Sequence, residues 1–518
     1  MSTDYIDGYL KKTKGGILVG VIFTFIIGLL MAFEPITDND YFWHVVIGKW
    51  IDLNKKIPHD ALYSWWGLKE KYYWTSHEWL TEWIMYKAED VGCIVIMLMI
   101  FLGLYYLMYK MLKIDFKRLL DVKLLYLLMM TVFFKVTGPR PYITSLLFFA
   151  YLIYVLFSYL DGEKKIFNKL IWTLPILQLI WANIHGGSSS LIYIFLLGVL
   201  LSDLFLKIFK IKEERWAAFR LNKKQSKTLW INLLLVIIAT CINPVGINLL
   251  IYPFTNMADT KMIDYILEWQ SPDFHGLLGI YIFIMIAIPV FNMMLTKKNY
   301  KFYEIAIFAL FFYMALKSQR FIGMFGIYST WMIGKYLFID DSVYEIIKKP
   351  FKKFEGTITY VFLSLLLIIT VFVANTQIKN FKAIVAKNEK EGYTSKVVDN
   401  DGYYSDGAIE KLISLKPQRM YNDFGNGGYL LYRLDQYNAL NDMNIFIYGL
   451  GDVFSNNILP DSKVIYNVQK DIEKLLSKYD FDVMLTVSRS PLCQYLKQSD
   501  KWQIEYKDEM NYIFTKTK

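Results

Sequence analysis

Asp38-Asn39-Asp40-Tyr41-Phe42-Trp43-His44-Val45-Val46-Ile47-Gly48-Lys49-Trp50-Ile51 is apolar over most of its length with a few polar positions set among the aromatics. That pattern predicts a helix lying where water meets hydrocarbon. An apolar run near 17–33 precedes it and another near 93–112 follows it. Each is close to the roughly 17 to 25 residues that cross about 30 Å of bilayer core. Residues 34–92 therefore read as one long loop on a single side of a membrane. A second interfacial helix fits Glu78-Trp79-Leu80-Thr81-Glu82-Trp83-Ile84, with loop at Ile57-Pro58-His59-Asp60 and at Tyr73-Trp74-Thr75-Ser76-His77.

Composition points the same way. The chain has 518 residues, 55% hydrophobic and 17% aromatic, with 20% charged residues and a mean hydropathy of +0.29, too apolar for a soluble domain of this size. Further spans are expected near 122–137, 142–160, 168–184, 188–206, 228–243, 277–295, 301–317, 320–338 and 357–376. The fold class is thus an α-helical polytopic membrane domain of about 11 spans over 1–376, followed by a small α/β domain over 377–518. The first span could pass for a signal peptide, but no small-residue cleavage site follows it and it reads as an anchor.

Lysine and arginine orient the spans, because cytoplasmic loops collect positive charge. Lys11, Lys12 and Lys14, then Lys113, Lys117 and Arg118, then Lys164, Lys165 and Lys169, then Lys207 to Lys227, then Lys297 to Lys301, then Lys348 to Lys353 all fall on alternate loops. The N-terminus is therefore expected inside and the C-terminus outside, in a plasma membrane. This signal accounts for much of the net charge of +10, so no nucleic-acid partner is needed. Cys93, Cys241 and Cys493 give neither a disulfide framework nor a paired-cysteine metal site.

With that orientation all five histidines, His44, His59, His77, His185 and His275, lie on the outer side. Ionisable groups beside a membrane are costly unless they build a water-filled site. Asp40 and His44 are four apart and share a helical face, next to Asp38. Such a set could hold a divalent cation or deprotonate a hydroxyl. The plainer reading is that Asp38 caps the helix and the tryptophans are belt residues. The other outer turns weigh against it. They carry Gly138-Pro139-Arg140-Pro141, Asn183-Ile184-His185-Gly186-Gly187, Asn243-Pro244, Glu268-Trp269-Gln270-Ser271-Pro272 and Lys317-Ser318-Gln319-Arg320. His77, Glu78, Asn183, His185, Glu268 and Gln270 are added to the candidate site on this ground. Arg140, Lys317 and Arg320 sit at headgroup depth, where a guanidinium can grip a lipid-linked phosphate with two parallel hydrogen bonds.

An acidic motif after the first span, a long outer loop with two interfacial helices, many further spans and a C-terminal outer domain together resemble the GT-C superfamily of membrane glycosyltransferases. D-x-D-Y-F-W-H, S-H-E-W, P-R-P, N-I-H-G-G, N-P-x-G and E-W-Q-S-P are similar to motifs of a group of bacterial and archaeal membrane proteins placed near that superfamily. The resemblance implies transfer of a sugar, with inversion, from a polyprenyl-phosphate carrier to a glycan, lipid or protein acceptor. It also implies that Asp38 or Asp40 is the first-loop catalytic carboxylate and that a basic residue such as Arg320 holds the donor phosphate. Some members use a divalent metal and others do not, so the cofactor stays open. A lipid-linked oligosaccharide transporter or flippase would also want arginines and an aqueous cavity, though with broken spans or repeated halves. A non-catalytic assembly subunit would need no acidic cluster.

In the C-terminal part, strands are expected at 418–422, 444–448 and 481–487, helices at 428–433, 471–476 and 491–496, and a hairpin from 502–506 and 512–514. Asp423-Phe424-Gly425-Asn426-Gly427-Gly428 could cradle a phosphate but lacks the spacing of a nucleotide fingerprint. A tight turn needing positive φ is the expected reading.

Overall fold

The computed structural model describes residues 36–113, 138–210, 220–295, 300–337, 378–390 and 404–517, with a few single positions between them. The spans expected at 17–33, 122–137 and 357–376 fall wholly or almost wholly outside the described residues, as do the basic groups at 11–14, 117–118 and 348–353.

Helix α1, Asn39–Asn54, begins where Asp38 accepts a hydrogen bond from the Asp40 amide at 3.0 Å, and ends at Lys55 with φ 51°. Helix α2, Trp79–Leu112, covers 34 residues as two helices joined across a kink at Glu89. The interfacial helix expected at 78–84 falls in the part before the kink and the span expected at 93–112 in the part after it. No proline interrupts the sequence between the two stretches, and Glu89 (φ 56°, ψ −175°) takes up the change of direction.

The other long helices are α3 (Pro141–Asp161), α4 (Leu174–Ile184), α5 (Leu191–Ile208), α6 (Lys223–Thr240), α7 (Leu277–Leu295), α8 (Phe302–Lys317) and α9 (Ile322–Tyr336). The run expected as one span at 168–184 is made of two short pieces, Phe167–Leu170 and Ile171–Thr173, leading into α4. Among the described residues, α2, α3 and the stretch Gly186–Ile208 are long and apolar enough to cross a membrane. Their packing is aromatic at the centre, where Phe157 stacks on Trp331 at 4.3 Å and Phe149 meets Phe195 and Phe311.

The basic helix ends converge on one rim. Lys113 pairs with Glu163, Lys301 and Lys335 both pair with Asp161 at 2.6 Å, and Arg220 donates to the Leu206 carbonyl at 2.7 Å. The turns bearing Arg140, His185, Glu268 and Arg320 lie at the opposite helix ends.

Helix α1 does not lie open at an interface. Tyr41, Phe42, Trp43, His44, Val46, Ile47, Gly48 and Ile51 are all buried, because the helix is covered by α2 on one side and by the C-terminal part on the other. A Cβ at Gly48 would lie 2.0 Å from the Glu82 carbonyl oxygen. Only glycine allows this approach, which brings His44 beside Glu82.

The C-terminal part contains α10 (Asp406–Leu415), β1 (Met420–Tyr421), α11 (Gly427–Gln436), α12 (Ile458–Tyr466), α13 (Ile472–Tyr479), β2 (Val483–Val487), α14 (Pro491–Lys497), β3 (Trp502–Lys507) and β4 (Asn511–Lys516). The sheet order is β1-β2-β4-β3, with β1 parallel to β2 and the other pairs antiparallel. Residues 444–448, expected as a strand, lie outside this sheet. Ile445 to Tyr448 are buried, but Ile445 exchanges backbone hydrogen bonds with the segment between α1 and α2, at Tyr63 and Trp65, and the Asn422 side chain bonds Phe446 and Ile447. Their apolar character reflects burial between two parts of the chain rather than a ladder.

The glycines of Asp423–Gly428 also act differently from expectation. None has positive φ among the described glycines, where Gly162 and Gly246 do. Gly428 is needed for space, since a Cβ there would lie 2.2 Å from the Asn39 carbonyl oxygen, at the start of α1. The loop is closed by its own side chain, with Asp423 accepting from the Asn426 amide and the Tyr404 hydroxyl.

Candidate active site

Two polar groups face one cavity of about 660 Å³ at the turn-bearing end of the helices. The first, at its mouth, is built on Arg140, which stands just before Pro141 at the start of α3. Its guanidinium binds both Asp38 oxygens, one at 2.7 Å, and also reaches Asp40 at 3.2 Å and Glu268. Asp38 is buried and Asp40 is about one third exposed. Burial pushes the Asp38 carboxyl up, opposed by the adjacent Arg140 charge. Arg140, expected to grip a donor phosphate, has its fork occupied by carboxylates. Asp40 accepts from the Trp43 indole at 3.2 Å and belongs to the mouth, so the expected pairing of Asp40 with His44 is not formed.

His44 belongs instead to the second group, on the cavity floor. Its Nδ1 lies 3.2 Å from Glu82 and its Nε2 4.0 Å from Glu78. The other Glu78 oxygen is 3.2 Å from His185 and 4.0 Å from His77. His185 is held in turn by Ser145 at 2.6 Å, which accepts from the Trp181 indole at 2.8 Å. Glu78 precedes α2 but makes no capping bond with its side chain, and it lines the cavity.

Burial governs the protonation of this floor. It raises Glu78 to about 8, with Arg320 partly opposing. It lowers His77 to about 3, assisted by the Arg320 charge. It also holds His44 and His185 well below the usual histidine range. Uncharged forms are favoured throughout. Glu82 Oε2 and His77 Nδ1 are buried without a hydrogen-bond partner. One ligand atom from each of His44, Glu78 and Glu82 lies within 4.8 Å of the others. This set, rather than Asp40 with His44, fits a divalent cation.

A second cavity of about 270 Å³ adjoins the first and is mostly apolar, lined by residues such as Leu191, Ile194, Phe254, Leu310, Phe311 and Met324. His77, Tyr142, Asn256, Trp269 and Arg320 border both cavities. The Arg320 guanidinium lies 5.1 Å from the Trp269 ring centre and 5.9 Å from that of Tyr142. Among the described residues no carboxylate forms an ion pair with it. The C-terminal part completes the larger cavity through Phe424, Leu450, Gly451 and Asp452. Asp452 accepts from the Tyr252 hydroxyl at 2.9 Å, and burial raises its pKa.

Other expected site residues lie elsewhere. Lys317 is exposed and lines neither cavity. The Asn183 side chain accepts from Trp79 and donates to the Leu179 and Ile242 carbonyls. Gln270 lines a separate pocket with Lys463 and Asn467. His59 stacks on Tyr73 and His275 is exposed, so three of the five histidines gather at the site. Glu82, Tyr142, Trp269 and Asp452 were not singled out in the sequence. Glu82 was detectable, because it follows Glu78 by four residues and so shares its helical face. Asp452 gave no such signal, since it reaches the cavity only through long-range packing.

No family model matches the chain, and no curated protein does. Solved structures do share its fold. The archaeal oligosaccharyltransferase AglB from Archaeoglobus fulgidus, in complex with an inhibitory peptide and a dolichol-phosphate, superposes with a TM-score of 0.51 at 10% identity, over 91% of this chain and 69% of that one. The Archaeoglobus fulgidus oligosaccharyltransferase in the apo form gives 0.50 at 11% identity with the same coverage. At this identity the likeness shows the fold alone: the chain is folded like these oligosaccharyltransferases, and three of its described helices are long and apolar enough to cross a membrane.

Proposed function

We propose that this chain transfers a sugar from a polyprenyl-phosphate carrier to an acceptor outside the cytoplasm, whether glycan, lipid or protein. The observation that carries the reading is the wall shared by the two cavities. A larger cavity lined in part by charged side chains opens beside a mostly apolar one, and Arg320 stands on the divide without a carboxylate partner among the described residues. A lipid whose chain lies among Leu310, Phe311 and Met324 would present its phosphate to Arg320 and its sugar to Asp40 and Glu78. The oligosaccharyltransferase of similar fold was solved with a dolichol-phosphate and a peptide, which supports a ligand of this class.

The proposal includes the orientation read from the lysines, with the cavity facing outward and the C-terminal part outside the cytoplasm. In it, Asp40 removes the proton of the acceptor group as that group attacks the anomeric carbon. The bond from that carbon to the phosphate oxygen breaks, and Arg320 stabilises the departing phosphate. Asp38, locked under Arg140, is a positioning residue that fixes the start of α1.

The test is transfer from a labelled polyprenyl-phosphate sugar by the purified, lipid-reconstituted protein. Asp40→Asn should lower transfer by at least ~100-fold, the usual size of an acid–base contribution, while melting as wild type does. Full transfer by Asp40→Asn would remove Asp40 from the reaction.

A further inference from the structure

We infer that the cavity floor is a divalent-metal site whose ligands are His44, Glu78 and Glu82. This goes beyond the transfer reading, and its test reads metal rather than product, so either can fail without the other.

The first ground is the donor set. An imidazole and two carboxylates, from α1, the residue before α2 and α2 itself, each place one ligand atom within 4.8 Å of the others. Mixed imidazole and carboxylate donors suit a borderline dication such as Zn²⁺, and the carboxylates also suit Mn²⁺. The second ground is independent of that spacing. Glu82 is fully buried, yet its Oε2 has no hydrogen-bond partner. A buried carboxylate oxygen left unpaired is costly, and a metal bond would remove that cost.

The third ground is what surrounds the set. Ion-pair contacts to Glu78 and Glu82, among the described residues, come only from His44, His77 and His185. The Arg140 charge is taken up at the mouth, on Asp38, Asp40 and Glu268, and Arg320 acts on Glu78 without an ion-pair contact to it. Glu78 also has an outer support of the kind that orients metal-binding carboxylates. His185 holds its second oxygen, and Ser145 and Trp181 hold His185. Gly48 sets the separation of α1 from α2, so the ligands are delivered by two packed helices rather than by a mobile loop.

When bound, the ion would supply positive charge beneath the larger cavity, which His44 and Glu78 line, facing any anionic or hydroxyl-bearing group held there. The residues themselves orient that ion and exclude water beneath it.

The full-length protein in detergent is stripped with a chelator, reloaded with Mn²⁺ or Zn²⁺ and freed of excess ion. The expected result is about one ion per chain by elemental analysis, together with a higher melting temperature that the chelator reverses. The Mn²⁺ form should show coupling to a histidine nitrogen by pulsed electron paramagnetic resonance. Glu82→Gln and His44→Gln should each weaken binding by at least ~10-fold, the lower end of the effect of disturbing such a site. Glu70→Gln, an exposed carboxylate of the same loop, should bind as wild type does. Absence of stoichiometric metal in the wild type, absence of histidine coupling, or wild-type affinity in both ligand variants would overturn the assignment. The coupling is read on the wild type, so the test survives even if a variant fails to fold.

Discussion

The mouth and the floor of the cavity both draw carboxylates from α1, α2 and the residues that precede them, with Glu268 joining the mouth, yet they are balanced in opposite ways. At the mouth, three carboxylates share one guanidinium. On the floor, two carboxylates face only imidazoles, and burial favours uncharged forms, with Glu78 raised to about 8. The difference teaches that carboxylates supplied by one segment, Asp38 and Asp40 against Glu78 and Glu82, need not do one job. The mouth is a structural clamp that leaves Asp40 facing the chamber, and the floor is a site waiting on charge from a proton or a cation.

The largest expected effect falls on the clamp. Arg140→Met leaves Asp38 buried without its partner and should cost about 3 kcal/mol or more of stability, read as a fall in melting temperature or in chemical-denaturation midpoint. On the floor, Glu82→Gln removes a carboxylate that has no cationic side chain to lose. In chelator-treated protein it should therefore melt within a few degrees of wild type. If both variants lose stability equally, the contrast between the two groups is wrong.

The joint between the two parts of the chain comes next. Gly428→Ala would force a methyl group against the Asn39 backbone, and overpacking of this kind costs about 1 to 3 kcal/mol. Because Asn39 begins the helix that carries Asp40 and His44, limited proteolysis should cut the variant faster between the two parts. Transfer should fall with it. An unchanged digestion pattern would mean that α11 is not what holds α1 in place.

The smallest effect should come from Arg320→Lys. The charge is kept but the planar fork is lost, so binding of a polyprenyl-phosphate analogue should weaken about 10-fold, equivalent to about 1.4 kcal/mol, with melting unchanged. Lys317→Ala should leave binding as it is, because Lys317 lines neither cavity. Equal losses in the two variants would return both residues to a general electrostatic role.

Much of this arrangement was legible because it is local. The period of apolar residues marked α1, the later part of α2 and most of the helices, and in the C-terminal part short apolar runs and glycine turns marked β1, β2, the β3-β4 hairpin, α11, α13 and α14 but not α10 or α12. Arg140 and Arg320 looked alike in sequence, each beside a membrane boundary. They differ only because Asp38, Asp40 and Glu268, from two distant segments, converge on one of them. The same limit hid the metal-like set. Asp40 and His44 share a helical face by spacing, but the tilt of α1 against α2 at Gly48 turns His44 to Glu82 and leaves Asp40 to Arg140. The 444–448 run misled for a related reason, since burial between two parts of the chain and burial within a sheet select the same residues.

The central claim is that the two adjoining cavities hold one lipid-linked donor, and density for a bound polyprenyl-phosphate analogue in the lipid-reconstituted protein tests it most directly. The expected result is a phosphate within hydrogen-bonding distance of the Arg320 guanidinium, with the chain running past Leu310, Phe311 and Met324 and the sugar end toward Asp40. An analogue found only on the outer surface of the helices, with both cavities free of it at saturating concentration, would contradict the claim.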